Sequence, residues 1–167
     1  KLDLSSLFFL NTEEFNKIIK ANSFVENFEI FKKYPSSLKI EIKKTTFLAK
    51  INKNEKTYLI GSNGKLSKFN YSNEKLPFIF GKPDIQEFLN FKNLIDQSKF
   101  HYSDIQRLYY FPSKRWDIEI NNNILLKLPK KNITNSLNYI FELLDENKSN
   151  NIKIVDARIE NQIILND

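Results

Sequence analysis

Apolar positions along this chain recur at two periods, and blocks of each period follow one another. Over residues 12–22, Phe15, Ile18 and Ile19 form one stripe at helical spacing. Glu13 and Glu14 stand early and Lys17 and Lys20 late, the order a helix dipole prefers. Asn11 and Glu14 have capping-box spacing and Leu10 and Phe15 staple spacing, so a helix is predicted over residues 12–22. Residues 24–33 form a strand candidate and Tyr34-Pro35-Ser36-Ser37 a turn. Residues 38–43 alternate strictly, the pattern of a half-buried strand.

Beyond Thr46 the short period dominates. Strands are predicted over residues 47–52 and 57–61, with a turn at Gly61-Ser62-Asn63-Gly64 and a short apolar segment over residues 76–81. Asp84 and Glu87 cap a predicted helix whose stripe is Ile85, Phe88, Leu89, Phe91 and Ile95. Residues 102–111 read as a strand, and residues 116–120 alternate cleanly. Asn121-Asn122-Asn123 tolerates positive φ and suggests a hairpin into residues 124–128. A further helix over residues 133–146 carries Leu137, Ile140, Phe141 and Leu144 on one face. Strands over residues 152–159 and 163–165 close the pattern. With no βαβ alternation evident, the expected class is α+β: helix-strand-strand, then a mainly antiparallel twisted sheet with two helices packed on it, and a boundary near residue 45.

Composition narrows the chemistry. The 167 residues contain no cysteine, which excludes disulfides, zinc-thiolate sites and a cysteine nucleophile. One histidine, His101, leaves little for a histidine metal site, and it reads more simply as a surface residue. The net charge of +6 lies wholly in residues 1–100, where 17 basic residues face 11 acidic ones; residues 101–167 hold 9 of each. The lysines are scattered among acids, unlike a clustered nucleic-acid surface. No apolar run exceeds four residues, whereas a membrane span needs about 20. The start at Lys1, with no methionine anywhere, suggests a fragment or processed product.

Candidate catalytic groups are few. Asp117 and Glu119 share a strand face and offer two carboxylates for Mg²⁺, or else mark the solvated side of a sheet. Glu41-Ile42-Lys43 has the E-x-K form of metal-dependent nucleases, but the only Pro-Asp pair, Pro83-Asp84, follows it and reads as a helix cap. No phosphate-binding glycine loop occurs. The residues alone lead no further than an α+β binding module without metal or cofactor.

Several segments, read in order, resemble one family. Ser6-Leu7-Phe8-Phe9-Leu10, the following helix, Phe24-Val25 and Tyr34-Pro35-Ser36-Ser37-Leu38-Lys39-Ile40 look like the second half of a POTRA domain. Phe47-Leu48-Ala49-Lys50, then Tyr58-Leu59-Ile60 with Asn63-Gly64-Lys65-Leu66, resemble the elements that follow it. So do Leu76-Pro77-Phe78-Ile79-Phe80-Gly81, residues 113–116 before a strand, and Ile154-Val155-Asp156-Ala157-Arg158. Together they resemble the periplasmic part of the bacterial cell-division family FtsQ, called DivIB in Gram-positive bacteria.

That resemblance implies residues 1–45 as the C-terminal part of a POTRA domain, lacking its first strand and helix, and residues 46–167 as an FtsQ-type β domain. It implies a non-enzymatic divisome scaffold, periplasmic at the division septum. A single transmembrane helix outside this chain would anchor it in the inner membrane. FtsB and FtsL would be its partners, without nucleic acid, small-molecule substrate or cofactor. The partner would add a strand to a C-terminal edge over residues 163–165, itself paired with residues 154–158. Matched by position, the contact residues would be Arg158, Ile159, Glu160, Asn161, Gln162, Ile163 and Ile164, with charge from Lys114. Asp156 and Arg158 would form either a structural pair or, through Arg158, a partner contact. The chain departs from the family at its last turn, where Glu160-Asn161-Gln162 replaces the usual glycine. Ile163→Pro is expected to remove a backbone donor that strand addition needs. The competing readings are a POTRA-type polypeptide-transport or chaperone module and a basic nucleic-acid-binding or nuclease domain.

Overall fold

The computed structural model describes residues 12–33, 37–68, 75–146, 151–159 and 162–166. Expectations for Leu7 to Asn11, for the Tyr34-Pro35-Ser36 turn, and for Glu160 and Asn161 fall outside the described residues, as do the side chains of Glu14, Phe15, Ile18 and Leu38.

Helix α1 (Thr12–Ala21) precedes a hairpin of β1 (Val25–Lys33) and β2 (Ser37–Lys44). Phe28 pairs with Ile42 and Ile30 with Ile40, so these four residues share one face of this two-stranded sheet. Ile40 and Ile42 are nevertheless exposed. This corrects the half-buried strand expected from their alternation. Period-2 patterning specifies a face, but burial needs a second layer over it. Helix α1 lies on β1, with Lys20 and Asn16 beside Phe28 and Ile30.

The second, nine-stranded sheet holds β3 (Phe47–Lys53), β4 (Lys56–Gly61), β5 (Leu66–Lys68), β6 (Phe78–Phe80), β7 (Ile105–Tyr110), β8 (Trp116–Ile120), β9 (Ile124–Lys127), β10 (Ile154–Asp156) and β11 (Ile164–Asn166). Its order is β11-β10-β9-β8-β7-β6-β3-β4-β5. The pairs β10–β11, β8–β9, β7–β8, β3–β4 and β4–β5 are antiparallel; β9–β10, β6–β7 and β3–β6 are parallel. The class is therefore α+β and mainly antiparallel, as the sequence suggests. Two β-α-β crossovers are nonetheless present. Helix α2 (Ile85–Asp96) joins the parallel pair β6 and β7, and α3 (Ile133–Glu146) joins β9 and β10. A parallel neighbour needs a connection of a dozen or more residues, and each helix supplies one.

Both helices cover the same face of the sheet. Phe88, Phe91 and Ile95 of α2 and Leu137 and Ile140 of α3 bury against Ile79, Leu108, Ile118, Leu126 and Val155. Trp116 stacks on Phe91 with ring centroids 4.6 Å apart and planes 5° apart. Where the apolar stripe of α2 begins, Asp84 and Glu87 form the expected capping box, with the Glu87 carboxylate accepting the Asp84 N–H at 3.3 Å. Asn122 and Asn123 adopt positive φ in the β8–β9 turn, as their type suggests.

Candidate functional site

Strand β11 ends the sheet: among the described residues it is bonded to β10 and to no strand on its other side. The register sets Asp156 opposite Ile164, Val155 opposite Leu165 and Ile154 opposite Asn166. All three residues of β11 are exposed. None is charged or proline, the groups that usually blunt an edge. The strand is one residue later than the predicted 163–165, so Ile163 precedes it. In place of the long strand predicted over residues 152–159, β10 is three residues long, and Arg158 and Ile159 lie in the connection beyond it.

Arg158 turns back along its own segment. Its Nε reaches both carboxylate oxygens of Asp156, at 2.8 and 3.0 Å, and its Nη2 lies 2.5 Å from Oδ2. The Arg158 N–H also donates to Asp156 Oδ1 at 3.1 Å. These bonds hold the Asp156 carboxyl below its usual range in spite of partial burial.

Beside this edge a groove of about 790 Å³ runs between α3 and the β10–β11 connection, with Tyr139, Leu143, Arg158, Ile159, Gln162 and Ile163 among its lining residues. Tyr139 and Ile159, both among the lining residues, are 66% and 56% exposed. Sequence reasoning named Ile159, Gln162 and Ile163 but missed Tyr139 and Leu143. The available signal was their position: both stand off the Leu137, Ile140, Phe141 and Leu144 stripe, where a solvated helix face is usually polar.

Lys114 is not brought to the groove. It sits in the β7–β8 turn at φ 62°, and its ammonium lies 3.1 Å from Glu87 at the start of α2.

The carboxylates of β8 occupy the sheet face opposite the helices, yet only 3% of Asp117 and 7% of Glu119 is exposed. This overturns the solvated-face reading. Arg107 and the Tyr109 hydroxyl (2.6 Å) bond Glu119. Arg115 (3.2 Å) and the Leu128 N–H (3.2 Å) bond Asp117. Burial pushes the Asp117 carboxyl up, against the pull of the Leu128 N–H and nearby cations. Each carboxylate thus has protein partners. Among the described residues no group of three or more His, Cys, Asp or Glu side chains is placed to hold a metal.

The profile of the family "Cell division protein FtsQ/DivIB, C-terminal" matches residues 49–158, more than half of the chain. The chain belongs to the FtsQ/DivIB family. The match runs from β3 to Arg158, so it takes in the helix-covered sheet up to the turn before β11. The FtsQ cell-division protein of Bradyrhizobium diazoefficiens is 24% identical over 165 residues, spanning 96% of this chain and 48% of that protein. The FtsQ protein of Rickettsia bellii is 26% identical over 179 residues, spanning 96% of this chain and 61% of that protein. The chain therefore spans about half to three-fifths of the length of these curated FtsQ relatives. The major extracytoplasmic domain of DivIB from Geobacillus stearothermophilus is similar at a TM-score of 0.44 and 14% identity, over 63% of this chain and 98% of that domain. None of the described helices is long and apolar enough to cross a membrane.

Proposed function

We propose that this chain is the periplasmic part of a non-enzymatic divisome scaffold, and that FtsB, with FtsL, binds it by adding a strand to β11. The observation that carries this reading is the outer edge of β11, which among the described residues pairs with no further strand and is uncharged and free of proline, beside a groove of mixed polar and apolar lining. Backbone groups on that edge would supply affinity, and a side chain in the groove between Tyr139 and Ile159 would supply register. Of the residues named from the sequence, Arg158, Ile159, Gln162, Ile163 and Ile164 border this place, and Glu160 and Asn161 belong to the same connection. Lys114 contributes least to the reading, because its charge is engaged by Glu87. Membrane anchoring would come from a segment outside this chain, and α1 with the β1–β2 hairpin would complete a POTRA domain.

Successive residues of a strand direct their N–H groups to opposite sides. The test is therefore a pair of variants, Ile164→Pro and Leu165→Pro, assayed by pull-down with the periplasmic segment of FtsB. One of the two is expected to abolish binding while the thermal unfolding midpoint stays close to wild type. Undiminished binding by both would sink strand addition at β11.

A further inference from the structure

We infer that the β4–β5 turn is a bolt that fixes the angle between the α1–β1–β2 unit and the nine-stranded sheet. Among the described residues the two sheets share no ladder, and Thr45 and Thr46 connect β2 to β3. A two-residue connection is the kind of segment that absorbs a hinge rotation. Here the rotation is opposed by a set of bonds from residues far apart in the chain.

Asn63, at the tip of the turn, spends both amide donors on the entry to β1: Ser23 O at 3.0 Å and Val25 O at 2.9 Å. Its own carbonyl accepts the Lys65 N–H at 3.0 Å, so the side chain is oriented from within its turn. The neighbouring Ser62 hydroxyl donates to Glu26 Oε2 of β1 at 2.6 Å, and the Thr45 hydroxyl donates to the same oxygen at 2.8 Å. Glu26 thus ties the hairpin, the connection and the turn together, and these two hydroxyls hold its carboxyl below the usual range. Ser62 also donates its N–H to Thr46 O at 2.8 Å and accepts the Thr46 N–H at 3.1 Å. The Lys65 ammonium closes the ring by bonding Lys20 O at the C-terminal end of α1, where a cation is favoured. Phe24 adds an edge-to-face contact with Phe47, centroids 5.7 Å apart. The end of α1, the start of β1 and the β2–β3 connection are all bonded by the same four-residue turn. An amide at position 63 suits this role because it alone combines two donors with an acceptor on one short side chain.

The chain contains no cysteine, so two spin labels can be placed cleanly at Lys33→Cys on β1 and Asn93→Cys on α2. Pulsed electron–electron distance measurement on the labelled 167-residue chain is expected to give one narrow peak. Asn63→Asp is nearly isosteric, keeps the acceptor and replaces both donors with charge facing two carbonyl oxygens. It is expected to lose the single peak and spread the distances, while unfolding followed by the fluorescence of Trp116, inside the sheet core, remains cooperative. If Asn63→Asp unfolds the sheet, Glu26→Ala, outside that sheet, replaces it with the same expectation. A broad wild-type distribution, or a peak that stays narrow in the folded variant, overturns the bolt. The turn is at the β5 side, the opposite end of the sheet order from β11, and the readout uses no partner. Its outcome is thus independent of strand addition.

Discussion

Asp156 grips Arg158 from two sides, accepting both its guanidinium and its backbone N–H. The guanidinium is thereby committed within its own chain, which favours the structural alternative left open by the sequence. A carboxyl held low in the folded state adds stability above its unfolded pKa and loses it as pH falls through the lower, folded value. The stability gap between wild type and Arg158→Ala is therefore expected to be present at neutral pH and to close in acid. Urea midpoints across that range check this, and a pH-independent gap would contradict it.

Asp117 should behave in the opposite sense. Its folded pKa is raised, so the native state holds the extra proton, and stability from this group rises as pH falls from the folded to the unfolded value. Asp117→Asn is expected to remove that rise. Asp117→Ala is expected to cost about 1–3 kcal/mol at neutral pH, since the Leu128 N–H is left buried without its acceptor. Chemical denaturation of both variants measures the two effects.

The stack of Phe91 on Trp116 ties α2 to the sheet. Phe91→Ala is expected to cost about 3–5 kcal/mol, the range for removing a buried aromatic ring. Because Trp116 is the only tryptophan, its fluorescence reports both the loss of stacking and the shifted unfolding midpoint.

Gly81 leaves β6 at φ +104°, and a Cβ there would stand 2.3 Å from the Tyr110 carbonyl oxygen. Backbone strain alone makes Gly81→Ala cost about 1–3 kcal/mol, and displacement of Tyr110 adds to it. A fall in thermal midpoint larger than that of an exposed control such as Lys82→Ala is the expected result.

The alternation of Trp116, Ile118 and Ile120 against Asp117 and Glu119 was legible without a structure, because a strand's side chains have a fixed period. So were the stripe of α2, the Glu87 cap and the positive-φ asparagines, all decided within a few residues. What covers a face was not legible. Asp117 and Glu119 are buried and bonded by Arg107, Tyr109 and Arg115, whereas Ile40 and Ile42 are exposed. The two crossovers escaped notice because periodicity marks a strand but not the direction of its neighbour.

The sequence by itself determined the order of most elements (though not strands β5 and β6), the absence of cysteine chemistry and, through its ordered motifs, the resemblance to a cell-division family. The resemblance led to an expected edge over residues 163–165; tertiary structure decided that, among the described residues, the edge is Ile164–Asn166 and ends a nine-stranded sheet, because ladder order is set by the whole fold. It also turned Asn63 from a turn residue into a clasp, since its two donors reach backbone carbonyls 40 and 38 positions earlier. Contacts at that separation depend on the folded path of the whole chain, which local pattern does not carry.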